Sequence, residues 1–131
     1  MNYRTLALLC AVTLAAAGSF AQPFYVDLDV GDDGNAGTDW GSGNAFASIQ
    51  AGIDAAYNYS QANGGISVEV WVAEGTYYNN ARLEGWGFYQ TFRSLVLKQG
   101  VHVYGGFKGD EDNLSDRKAQ HYATIVGTDS G

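Results

Sequence analysis

The sequence predicts a mainly-β fold, a right-handed parallel β-helix seen as an N-terminal capping helix and its first rungs. Three observations lead there. First, short strands rich in aromatic and β-branched residues are punctuated by glycine and recur at just over twenty residues. From the middle of Val68–Val72 to that of Leu95–Leu97 is 26 residues, and from Val101–Val103 to Thr124–Val126 is 23. Second, one amphipathic helix precedes most of them. Third, the last strand, Thr124 to Gly127, is followed by only four residues. The expectation is therefore the opening of a longer solenoid, residues 22–131, with an unsealed apolar end. Other β folds also fit so few turns. A β-sandwich spaces its strands by about 8–12 residues, and Leu95–Leu97 with Val101–Val103 would suit a hairpin.

Residues 1–21 read as a secretory signal peptide. Arg4 supplies the positive start, Leu6 to Ala17 is an apolar run, and Ser19-Phe20-Ala21 is a small-x-small cleavage site. The run is shorter than the roughly 20 residues that span a bilayer, so cleavage after Ala21 is expected, with no membrane insertion afterwards. Cys10 follows the bulky Leu8 and Leu9, which argues against lipid attachment there. The expected location is secreted or at the cell surface.

Phe24 to Asp29 alternates and reads as a first strand. Gly31 to Gly43 is a polar Gly/Asp/Asn loop with Trp40 inside it. Phe46, Ile49, Ile53, Ala56 and Tyr57 then share one face at the helical period. Ser48 is the expected N-cap, and Asn63-Gly64-Gly65 the stop. Ile66 to Ala73 alternates and is β-branched, which makes a strand. Glu74-Gly75 turns the chain into a short strand, Thr76 to Tyr78. Asn79 to Phe92 is a polar and aromatic excursion. Arg93 to Lys98 reads as a strand, and Gln99-Gly100 as a turn into Val101 to Tyr104. Gly105 to Gly109 is expected to end that strand. Asp110 to Tyr122 is charged and loop-like, with one helical turn near Leu114 to Lys118.

Charge excludes several partners. The 131 residues hold 14 acidic and 7 basic side chains, a net charge of −7. Removing residues 1–21 takes away Arg4 and the only cysteine, leaving 14 acidic against 6 basic residues, a net charge of −8. Nucleic acid and anionic lipid would repel such a chain, because phosphate binding rests on Lys and Arg. With no cysteine there is no disulfide framework and no thiolate metal site.

At this point the residues resemble a known family. The helix, Gly64-Gly65, and then Val70-Trp71-Val72-Ala73-Glu74-Gly75-Thr76-Tyr77 are similar to the opening of secreted bacterial pectin-lyase-like β-helix proteins. Gly100-Val101-x-Val103-Tyr104-Gly105-Gly106-Phe107-x-Gly109-x-Glu111-x-x-Leu114-x-x-Arg117 is similar to a longer signature of the same N-terminal cap. Tyr25-Val26-Asp27 and the loop ending at Trp40 match its first strand and loop, and Thr124 to Gly127 its next turn. The resemblance covers nearly all of residues 24–127. It implies a structural cap on a protein that acts on or adheres to polysaccharide. It does not imply one activity, since the same cap precedes lyases, hydrolases and adhesins. Two further roles stay open: the first part of a polysaccharide lyase or glycoside hydrolase with its catalytic residues on later rungs, or a carbohydrate-binding adhesin module.

No catalytic, cofactor-binding or metal-ligating residue is assigned. Asp27, Asp29, Asp32, Asp33, Asn35 and Asp39 invite calcium, which takes six to eight hard oxygens. Their spacing misses the EF-hand pattern, with Gly31 and Trp40 at ligand positions counted from Asp29. Turn capping by these side chains is the plainer reading. Arg82, Arg93 and Arg117 are available to steady a lyase carbanion, yet no carboxylate pair or histidine accompanies them. Arg117 with Glu111 reads as a structural ion pair. His102 should point outward from its strand, and His121 sits in a loop. The rings of Trp40, Trp71, Trp86, Tyr77, Tyr78, Phe88 and Tyr89 could stack on sugars; core packing is the plainer reading for most. Trp86, between two glycines, is the ring expected to be most exposed.

Overall fold

The computed structural model describes residues 21–78 and 95–127. They form a small mixed α/β domain with parallel strands and one α-helix. In order these are β1 (Phe24–Val26), α1 (Ile49–Ala62), β2 (Val68–Ala73), β3 (Gly75–Tyr78), β4 (Val101–Phe107), a 3₁₀ turn (Leu114–Asp116) and β5 (Thr124–Gly127).

Every strand pairing is parallel. One sheet has the order β1-β2-β4, and a second pairs β3 with β5. The parallel step from β1 to β2 requires a crossover, and α1 supplies it. Phe24 lies beside Val70, Val68 beside Val101, and Gly75 beside Thr124. Partners are thus 46, 33 and 49 residues apart, which corrects the twenty-odd-residue spacing read from the sequence. The excursion after Tyr78 and the loop after Phe107 lengthen the steps. Parallel pairing also removes the hairpin between Leu95–Leu97 and Val101–Val103 and the antiparallel sandwich among the described residues.

Leu95 to Lys98, expected as strand, is not one. The Gln50 side chain of α1 satisfies this backbone: its Oε1 accepts from Val96 N at 2.9 Å and its Nε2 donates to Val96 O at 3.2 Å. A side-chain amide stands where a neighbouring strand would. Arg93 lies outside the described residues.

The helix forms where local chemistry places it. Ser48 is extended, at φ −113° and ψ 144°, and its Oγ accepts from Ala51 N at 3.2 Å. Asp33 fixes that cap, accepting from Ser48 N at 2.8 Å, Ser48 Oγ at 2.7 Å and Ala47 N at 3.0 Å. At the other end Asn63 N and Gly65 N both donate to Ser60 O, with Gly64 and Gly65 at φ 77° and 78°, a region glycine enters without steric penalty. Ile49, Ile53 and Ala56 are buried as expected. Phe46 is buried one turn ahead, bridging to Val26 outside the helix. Tyr57 sits at the edge of the stripe, with Lys98 Nζ 5.1 Å from its ring.

Alternation sorts the sheet residues onto two faces. Val26, Val68, Val70 and Val72 pack against Ile49, Ile53 and Ala56 on the helix side. Tyr25, Trp71 and Phe107 form a separate cluster on the outer side with Ala45. Phe107 reaches that side through a bulge. Trp71 pairs with Tyr104 but Ala73 with Phe107, so β4 carries one extra residue. A one-residue slip exchanges faces. Gly106, at φ 89°, makes the bulge, and a Cβ there would lie 2.7 Å from Ala119 Cα. The strand therefore continues through Gly105-Gly106, where the sequence predicted its end.

Tyr77 links β3 to the end of β2 and to the segment after β1. Its hydroxyl donates to Ala73 O at 3.1 Å and accepts from Leu28 N at 3.2 Å. Burial, reinforced by Asp27 and Asp29 and opposed by the Leu28 N–H, pushes its pKa up to about 12.

Candidate functional site

Two aligned positions on each of two strands make the floor of a groove on the outer sheet face. Glu69 and Trp71 of β2 lie beside His102 and Tyr104 of β4, in register. Asp112, Asn113 and Leu114 form a wall, and Gln22, Pro23 and Ser67, with Ala21 before cleavage, complete the lining. The space between is about 590 Å³.

The wall is held by Glu111. Its carboxylate accepts from the backbone N–H groups of Lys108 at 2.6 Å, Gly109 at 3.0 Å and Asp110 at 3.1 Å. Its carbonyl accepts from Trp40 Nε1 at 2.9 Å. Burial pushes the Glu111 pKa upward, but those backbone N–H groups outweigh it and hold the carboxyl below its ordinary value. The expected ion pair with Arg117 is therefore replaced. Arg117 lies with Cζ 5.3 Å from the Tyr104 ring, and Nη1 reaches Gly105 O at 3.4 Å.

A stability prediction follows from the lowered pKa. Between the folded and unfolded values the unfolded chain binds the extra proton, so stability rises with pH across that interval. Glu111 contributes fully above about 4.5, and the contribution disappears as pH falls through its lower folded pKa. Glu111→Gln is expected to cost about 1–3 kcal/mol at neutral pH. Melting curves of the two proteins should converge as the buffer is acidified; a constant gap would contradict this.

On the floor, Trp71 Nε1 donates to Glu69 Oε2 at 2.7 Å, which orients the partly buried carboxylate. Trp71 is only 5% exposed. It stacks on Phe107 at 4.9 Å and meets Tyr25 edge-on at 5.7 Å, so its faces pack within the protein. Trp40 is spent likewise, on Tyr25 at 4.8 Å and Phe107 at 5.6 Å. Tyr77 is buried and Tyr78 exposed. Trp86, Phe88, Tyr89 and Arg82 fall outside the described residues.

His102 points outward into this groove, as its alternation predicted, while His121 is exposed in a turn away from it. Beneath the floor, burial and then the Asp39 and Asp112 carboxylates raise the Tyr25 pKa. Among the described residues neither lysine nor arginine lines the groove.

The Asp-rich loop spends its side chains on its own backbone. Asp27 Oδ1 accepts from Asp29 N at 3.0 Å, Asp32 Oδ1 from Gly34 N at 2.7 Å, and Asp39 Oδ1 from Trp40 N at 2.8 Å. Asp33 holds the helix cap, and Asn35 Nδ2 donates to Ala45 O at 2.8 Å. Among the described residues no three His, Cys, Asp or Glu side chains are grouped to hold a metal ion, and no helix is long and apolar enough to cross a membrane.

The sequence reading did not single out Glu69, Tyr104, Asp112 or Asn113. Alternation along each strand puts Glu69 with Trp71 and His102 with Tyr104, but only the register brings the two pairs together. No protein-family model, curated protein or solved structure matches the chain.

Proposed function

We propose that the chain is the N-terminal capping end of a secreted right-handed parallel β-helix of the pectin-lyase-like kind, and that its outer face engages polysaccharide. One observation carries the reading. The chain runs β2 then β3, and later β4 then β5, and each later strand lies parallel beside its earlier counterpart. A chain winding on itself produces that order, one coil laid on the previous one. The helix supports it by covering the apolar side of the first strands, as a terminal repeat must be covered. The signal-like start and the cap motifs support secretion. The groove over Glu69, Trp71, His102 and Tyr104 supplies an outward-facing surface for a ligand.

The test is retention and turnover on a panel of cell-wall and plant polysaccharides. Retention without turnover is the expected result for this chain, as in an adhesin or a cap. Unsaturated product, seen as new ultraviolet absorbance, would make it part of a lyase instead. Neither retention nor turnover on any glycan would overturn the polysaccharide role.

A further inference from the structure

We infer that the outer-face groove takes a neutral oligosaccharide and turns away uronate polymers; the inference rests on the polysaccharide reading above and names the class of glycan. The volume, about 590 Å³, is that of a small-ligand site, and the trough runs along a sheet face beside the wall. Its polar groups are of the kind hydroxyls use. Glu69, oriented by Trp71 at 2.7 Å, and Asp112 on the wall both accept from O–H donors. Such charge-assisted bonds are about twice as strong as neutral ones. The Tyr104 hydroxyl donates in return, the Asn113 amide is engaged with Asp116 at 3.2 Å, and His102 stands beside Glu69 in register.

Charge then decides between glycans. A uronate carboxylate laid in the groove would meet Glu69 and Asp112; among the described residues no lysine or arginine side chain lines it, and the α-amino group that cleavage after Ala21 gives Gln22 is one cation against two carboxylates. Like charges across a partly desolvated contact are strongly unfavourable. Of the described cations nearby, Lys108 is paired with Asp110 at 3.5 Å, and Arg117 rests on the Tyr104 ring with Nη1 on Gly105 O. A neutral, hydroxyl-rich chain donates to the carboxylates and accepts from the Tyr104 hydroxyl.

Titration calorimetry on the purified protein tests this, with neutral hexasaccharides of glucan, mannan and xylan type against hexagalacturonate. A neutral hexasaccharide should bind at least about tenfold tighter than the uronate, a difference of about 1.4 kcal/mol. Asp112→Ala, at an exposed loop position, and Glu69→Gln should each weaken it about tenfold with unchanged melting curves. Hexagalacturonate binding as tightly as every neutral chain would overturn the inference and leave the polysaccharide reading standing. Neutral binding indifferent to both substitutions would place the site elsewhere and overturn it too. Absence of binding by all the hexamers would overturn the inference, and with no retention on the polysaccharide panel the wider reading falls as well.

Discussion

Ile53→Asp is expected to abolish the cooperative melting transition of the domain. Ile53 is fully buried, in one cluster with Val26, Ile49, Val68, Val70 and Val72. Removing its side chain forfeits roughly 1.5–3 kcal/mol of burial. The new carboxylate would then sit among valines with no donor, which adds several kcal/mol or forces the helix off the sheet. A domain of this size holds about 5–15 kcal/mol in total, so the sum takes most of it. The contact is close as well as apolar. A Cβ on Gly52, one residue earlier, would meet Val26 Cγ2 at 2.7 Å and Val70 Cγ1 at 2.9 Å, so helix and sheet have no slack to admit water around a charge. Circular dichroism with heating checks this, with Asn58→Asp on the exposed face of the same helix as control. The control should melt within a few degrees of the parent. If Ile53→Asp does the same, the α1 face is not the one that carries stability.

The helix was legible because its determinants are local. The stripe from Ile49 to Ala56, the Ser48 cap and the Asn63-Gly64-Gly65 stop all lie within one stretch, and backbone geometry acts on them directly. Strand identity was legible at β2 for the same reason. Pairing was not. Nothing near Val68 announces that its partner is Val101 rather than Leu95. Leu95-Val96-Leu97 is an unbroken apolar run where Val101 to Tyr104 alternates, and it is the backbone of Val96 that Gln50 bonds in place of a strand. Phe107 shows the same limit at a single residue. Alternation from Val101 assigns it to the helix side, and only the extra residue at Gly105-Gly106 turns it over. The groove divides similarly. Its floor was half visible in the alternation of Glu69 with Trp71 and of His102 with Tyr104. Its wall depends on Trp40 reaching Glu111, 71 residues away, and no local pattern encodes that meeting. Net charge was readable without the fold, since an excess of carboxylates is a property of composition rather than of arrangement.

Phe107→Ala should lower stability by about 3–5 kcal/mol, the usual range for emptying a buried aromatic site. Phe107 is fully buried and lies nearly flat on Trp71, with 11° between the rings. Trp40 leans on it from the other loop at 5.6 Å. Loss of the ring therefore removes the surface on which Trp40 rests, and Trp40 is the side chain whose indole N–H anchors Glu111. The consequence should extend beyond the melting temperature to the groove wall. Amides of Lys108, Gly109 and Asp110, which donate to Glu111, should exchange hydrogen faster than in the parent, while Val70 and Val72 on the helix side keep their relative protection. Indole fluorescence should shift to the red as Trp40 meets water. Phe107→Leu retains most of the volume and is expected to recover much of the stability but not the flat contact with Trp71. An alanine variant that melts normally, with unchanged exchange at residues 108–110, would mean that the wall is held by the Glu111 carboxylate alone. Disturbed exchange at those amides with little change in α1 would instead separate the two clusters, making the outer face a unit that opens without unfolding the helix side.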